Sequence, residues 1–134
     1  MILLDTCALI WIADDHPVLP AALTAVERAV SLGELYLSPV SAWEIGILVT
    51  RGRLVLDVSA EVYVSRAFSR PGVQIAALTP EIAVRSSHLP GTMHGDPADR
   101  MLIATAMLMG LKLMTRDRRI LDYAAQGRLS AMAC

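Results

Sequence analysis

Apolar positions along this chain follow two periods, and the switches between them mark the elements. Residues 2–5 open with Ile2-Leu3-Leu4, a continuous apolar run too short for a helix, which predicts a short buried strand. A helix is expected over 6–12, and Asp14-Asp15-His16-Pro17 has the composition of a turn. Leu23, Val26 and Val30 recur at helical spacing over 20–31, and Gly33 closes that helix. Leu35-Tyr36-Leu37 reads as a second strand. Ser38-Pro39 then supplies an N-cap and a first-turn proline for a helix carrying Trp43, Ile47 and Leu48 on one side, as far as Arg51-Gly52. A further helix covers 59–69 and stops at Pro71-Gly72. The run 73–78 is rich in β formers, and Thr79-Pro80 starts a helix to about 88. After a loop at 89–95 comes the strongest helical pattern, 97–110. A strand at 112–115, a helix at 117–125 and an edge strand at 129–133 complete the chain. Strands alternating with helices argue for an α/β fold with a parallel sheet covered on both faces.

The 134 residues suit a single domain, 1–134, with enough length to bury a core unaided. A net charge of −1 singles out no partner. Eleven of the twelve basic residues are arginine, the exception being Lys112. Hydrophobic residues make up 54% and mean hydropathy is +0.50, high for a small domain. Nineteen alanines inflate that figure. The reading adopted is that part of the apolar surface is covered by another chain. Asp5 interrupts the first apolar stretch and no basic segment precedes it, so no secretory signal is expected. The longest uncharged run, 101–111, is far short of the ~20 residues that span a bilayer. Two cysteines, Cys7 and Cys134, make no disulfide framework, and a reduced cytoplasmic location is expected.

Candidate chemistry lies in the acids. Asp5 ends the first strand run, and Asp117 follows the last long one. Glu44 sits inside the helix that Ser38-Pro39 begins, and Asp96 and Asp99 open the 97–110 helix. Parallel α/β sheets carry their functional groups at the carboxyl ends of strands, where two of these acids fall. Each also has a local explanation. Asp5, Asp96 and Asp117 are natural N-caps, Asp99 suits the positive end of a helix, and Glu44 matches a capping box with Ser41 or faces solvent. Their joint placement favours chemistry, since gathered carboxylates repel and normally need a cation. Mg²⁺ takes one or two carboxylates directly and keeps several waters for the rest. Such a site neutralises a phosphodiester and activates water. Thr6 and Thr115 stand near the same strand ends, either to orient a water or carboxylate or to finish a turn. Arg100, Arg116, Arg118 and Arg119 lie beside the acids, suited equally to flanking phosphates or to balancing charge. His16, His88 and His94 lack metal-ligand spacing and read as loop or helix-end residues. Cys7 reads as a small buried side chain and Asp122 as surface.

The motifs Leu3-Leu4-Asp5-Thr6, Ser41-Ala42-Trp43-Glu44-Ile45, Asp96-Pro97-Ala98-Asp99-Arg100-Met101-Leu102-Ile103-Ala104 and Thr115-Arg116-Asp117 occur in the order seen in PIN-domain proteins. The chain most resembles VapC-type toxins of bacterial toxin–antitoxin pairs, over essentially its whole length. The resemblance implies a three-layer α/β/α sandwich with a central, mainly parallel sheet. It also implies an Mg²⁺- or Mn²⁺-dependent endoribonuclease that cleaves RNA to 5′-phosphate and 3′-hydroxyl ends. The catalytic acids map onto Asp5, Glu44, Asp99 and Asp117, with Asp96 as an accessory metal position beside Asp5, Asp99 and Asp117. Arg100, Arg116 and Arg118 become candidate contacts to RNA phosphates. A small antitoxin is implied as inhibitor, packed in an apolar groove for which Leu9, Trp11, Ile12 and Leu48 are candidates. A homodimer, or a hetero-oligomer with the antitoxin, is implied as the assembly. Similar toxins often carry Lys at the position of Leu48 and His at that of Cys7. Arg51 and Arg53 are the cations able to substitute for the former. The rival class is an Mg²⁺-binding receiver-like signalling module or a non-catalytic interaction module. Receiver-like modules also place carboxylates and a Thr at strand ends, but here no adjacent acid pair sits beside Asp5.

Overall fold

The computed structural model describes residues 1–93 and 95–134. His94 lies outside the described residues. The first strand, β1 (Ile2–Leu4), is followed by α1 (Thr6–Ala13) and α2 (Pro20–Leu32). Then come β2 (Leu35–Leu37), α3 (Pro39–Thr50), α4 (Ala60–Phe68), β3 (Val73–Ile75) and α5 (Pro80–Ser87). The last part holds α6 (Pro97–Met109), β4 (Lys112–Thr115), α7 (Arg118–Tyr123), a wide turn at Ala124–Arg128, and β5 (Ala131–Ala133). The sheet has five strands in the order β3-β2-β1-β4-β5, and every neighbouring pair is parallel. This is the α/β/α sandwich expected, with the last strand at an edge.

Burial follows the alternation of a sheet covered on both sides. Ile2 and Leu4 of β1 face a core built with Leu35, Leu37, Met114, α1, α2 and Ala67 of α4. Leu3 faces the opposite core, with Leu113, Ile82 of α5, Leu102 and Ile103 of α6, and Ile120 and Tyr123 of α7. The first strand is therefore a continuous apolar run because both its faces are dry. Helix α3 sends Ile45 into the first core and Val40 into the second.

Boundaries match local chemistry. Ser38 accepts a hydrogen bond from the Val40 N–H at 3.1 Å, and Pro39 starts α3. Gly33 ends α2 in the left-handed region at φ 67°. Gly72, at φ 86°, turns α4 into β3, where a Cβ would stand 2.2 Å from the Val30 carbonyl oxygen. Only glycine fits that approach. Two expectations shorten: β3 ends at Ile75, and the final helix stops at Tyr123 before the wide turn.

Candidate active site

Four separate elements deliver the singled-out acids to one electrostatic neighbourhood at the carboxyl edge of the sheet. Asp5 follows β1, is 5% exposed and caps α1, its Oδ1 accepting the Ala8 N–H at 2.6 Å. Its Oδ2 accepts from the Thr115 hydroxyl, and the nearby Arg116 main-chain N–H adds a small lowering of its pKa. Thr115 in turn accepts the Asp117 N–H at 3.0 Å, which ties the end of β4 to the end of β1. Asp117 caps α7, taking the Arg119 N–H at 2.7 Å. Asp96 caps α6 by accepting the Asp99 N–H at 3.0 Å, and Asp99 stands in the first turn. Glu44, half-buried in α3, accepts from Thr6 Oγ1, which lies 3.1 Å from Ser41 Oγ. With the single Thr6 proton given to Glu44, Ser41 is the donor of the second contact.

The local reading therefore holds for three of the acids. Asp5, Asp96 and Asp117 cap helices, and the same geometry projects the carboxylates toward one another. The charge balance records this. Asp99 is pushed up from 3.8 to about 7, first by burial and then by Asp96, Glu44, Asp117 and Asp5. Glu44 is raised by burial against the Thr6 hydrogen bond, with Asp96 and Asp5 adding to the rise. Asp5 is raised chiefly by burial, which outweighs its hydrogen bonds from Thr115 and Ala8.

The donor set suits a hard divalent cation, because every group is an oxygen ligand and the carboxylates raise one another. Among the described residues, no three His, Cys, Asp or Glu side chains converge closely enough to hold an ion as they stand. Asp5 is engaged by Thr115, Glu44 by Thr6 and Asp117 by Arg119.

The arginines divide by role. Arg100 is half-buried, donating from Nε to the Ser86 carbonyl at 2.7 Å and from Nη1 to the Met93 carbonyl at 3.3 Å. It straps α6 to α5 and to the following loop, which Tyr123 also holds through the Pro90 carbonyl at 2.7 Å. Two of its donors are thereby held by carbonyls. Arg119 grips Asp117 at 2.9 and 3.3 Å. Arg116 and Arg118 are exposed, and so are Arg51 and Arg53 in the turn after α3. Cys7 is exposed, not buried, because its helix position faces the rim and not the core. Its thiol is pushed up to about 11, by burial of the sulfur's surroundings first and then by Asp5, Glu44 and Asp99, so it is a protonated, poor nucleophile. Asp122 is on the surface, His16 in the loop after α1, and His88 at the end of α5.

An apolar groove of about 550 Å³ opens on the α1–α2 side. Leu9 and Ile12 line it, whereas Trp11 and Leu48 do not. Its other wall is made by Leu23, Val26 and Val30 of α2, residues that periodicity marked as one helix face but not as groove, with Val73. Leu48 packs against the first core and Trp11 turns toward Arg116.

Fold and site together define a class. The PIN domain profile matches residues 2–126, and the chain belongs to the PIN-domain family. It is 32% identical over 123 residues to Ribonuclease VapC22 of Mycobacterium tuberculosis, covering 91% of each protein. Its fold is similar to that in VapBC2 of Rickettsia felis bound to a promoter DNA fragment, with TM-score 0.72, 15% identity, and 99% and 98% of the two chains covered. A toxin–antitoxin complex from Klebsiella pneumoniae shares the fold at TM-score 0.60 and 22% identity, covering 90% of each chain. No helix among the described residues is long and apolar enough to cross a membrane.

Proposed function

We propose that this chain is an endoribonuclease, the toxin of a toxin–antitoxin pair, that hydrolyses RNA with Mg²⁺ or Mn²⁺. The observation that carries the reading is that Asp5, Glu44, Asp99 and Asp117 come from four elements into one electrostatic neighbourhood, with Asp99 raised to about 7 first by burial and then by the other carboxylates. Similarity to Ribonuclease VapC22 supports RNA as the substrate. Likeness to a VapBC2 structure and a toxin–antitoxin complex supports a small protein inhibitor, and the α1–α2 groove is the surface proposed for it.

Asp5, Asp99 and Asp117 are the proposed ligands, with Asp96 and Glu44 holding coordinated water. When bound, the divalent cation supplies Lewis acidity and an activated water. The chain's own residues do the positioning. Thr115 and the Ala8 N–H fix the Asp5 carboxylate, and Thr6 with Ser41 fixes Glu44. Burial and the neighbouring carboxylates disfavour charge on Asp99, so a cation at this position would offset that cost. In-line attack on phosphorus with departure of the 3′-oxygen leaves 5′-phosphate and 3′-hydroxyl ends.

The test is cleavage of a mixed RNA pool by partner-free protein in Mg²⁺, Mn²⁺ or EDTA, beside Asp99→Asn. Metal-dependent cleavage that the variant loses by at least about 100-fold is expected. Equal cleavage by both proteins refutes the assignment.

A further inference from the structure

Of the three arginines around Asp117, Arg118 is exposed, and Arg116 and Arg119 differ in their contacts. Arg119 folds onto the Asp117 carboxylate. Arg116 stands one residue before the same acid, but its guanidinium carbon lies 3.6 Å from the centroid of the Trp11 ring. Its main chain meanwhile lies beside Asp5, whose pKa its N–H helps to lower. One residue thus borders the acid site with its backbone and stacks its charge on an aromatic ring outside it. The ring itself is held. Trp11 is half-buried on α1, the helix that Asp5 caps, and its carbonyl accepts the His16 N–H at 2.8 Å. The His16 ring packs against it with centroids 5.1 Å apart and planes at 44°.

A guanidinium stacked by its face keeps its N–H donors, which lie in the ring plane, available at its edge. RNA approaching a carboxylate cluster meets repulsion from its own phosphates. A cation held at the rim attracts them without quenching the acids. We propose that Trp11 is a positioning residue for RNA: it holds Arg116 as a prearranged contact to a phosphate flanking the scissile bond. Arg100 is committed to carbonyls and Arg119 to Asp117, so neither is arranged for this task. The proposal rests on the ribonuclease reading above and adds to it the residue that sets the contact.

The experiment measures binding of a short, labelled, random-sequence RNA in EDTA, and KM and kcat on the RNA pool with Mn²⁺. The proteins are wild type, Arg116→Gln, Arg116→Lys, Trp11→Leu, Trp11→Phe and the Trp11→Leu/Arg116→Gln double variant, each checked for folding by urea denaturation. Arg116→Gln is expected to weaken binding and raise KM about fivefold, with kcat within about twofold. Trp11→Leu should give a smaller loss of the same kind, and Trp11→Phe should restore most of it. The double variant should be no weaker than Arg116→Gln alone, because the ring acts only through the arginine. Additive losses, a fall in kcat at unchanged KM, or normal binding by Trp11→Leu overturns the proposal while leaving the ribonuclease reading intact. A wild type that neither binds nor cleaves RNA overturns both. Should Trp11→Leu fail to fold, Arg116→Lys beside Trp11→Phe decides. Charge alone is then insufficient if lysine binds as weakly as glutamine, and the stack is irrelevant if lysine matches wild type.

Discussion

Replacing Asp99 by asparagine should stabilise the metal-free protein, and by an amount that depends on pH. The folded-state value of Asp99 is raised from 3.8 to about 7. This is the reverse of the usual salt-bridged carboxylate, so the sign reverses too. The folded state binds the proton more tightly than the unfolded chain. Stability therefore falls as pH rises from about 4 to about 7, and the full penalty applies above that window. At ~1.4 kcal/mol per tenfold in proton affinity, the gap corresponds to about 4 kcal/mol without screening. Asp99 remains partly open to solvent and its neighbours relax, which reduces the figure to about 1–2 kcal/mol. Asparagine keeps the shape and removes the charge. In EDTA at pH 8, the urea midpoint of Asp99→Asn should exceed that of wild type by roughly 0.5–1 M, given the urea slope of a chain this size. At pH 5 less than about half of that gain should remain, because wild-type Asp99 is then largely protonated. Saturating Mn²⁺ should cancel or invert the difference, since only wild type keeps the full ligand set. A variant that is less stable at pH 8, or equally stabilised at both pH values, refutes the claim that burial and mutual repulsion strain the Asp99 carboxylate.

Two further outcomes follow from the same geometry. Thr115→Val should destabilise by about 2–3 kcal/mol in urea unfolding, because it strips a donor from buried Asp5 and an acceptor from the Asp117 N–H. An effect under about 0.5 kcal/mol would mean that the tie between β1 and β4 is idle. Leu23→Arg, at a side chain 45% exposed on the α1–α2 groove, should stop a co-expressed antitoxin from co-purifying while RNA cleavage persists. Retention of the complex would move the proposed docking surface elsewhere.

Local order was legible because its causes are local. Ser38-Pro39, Thr79-Pro80 and Asp96-Pro97 announce helix starts, Gly33 an end, and Leu3 between Ile2 and Leu4 a strand buried on both faces. The acids could be singled out for a related reason. A carboxylate that caps the helix after a parallel strand must stand at the sheet's carboxyl edge. Arg100, Cys7, Trp11 and Leu48 escaped this reasoning, since their surroundings are made by elements far away in the chain. Nothing near Arg100 in sequence marks the Ser86 carbonyl as its partner, and no pattern around Trp11 points to Arg116.

The sequence by itself determined the elements, their caps and the alternation that demands a covered parallel sheet. Only the tertiary structure decided that β1 lies between β2 and β4, which brings Thr115 onto Asp5 across 110 residues of chain. That order, and not any single motif, turns helix caps into a cluster of carboxylates. Hydrogen bonding and periodicity act within a few residues, whereas strand order is selected by the packing of two whole cores.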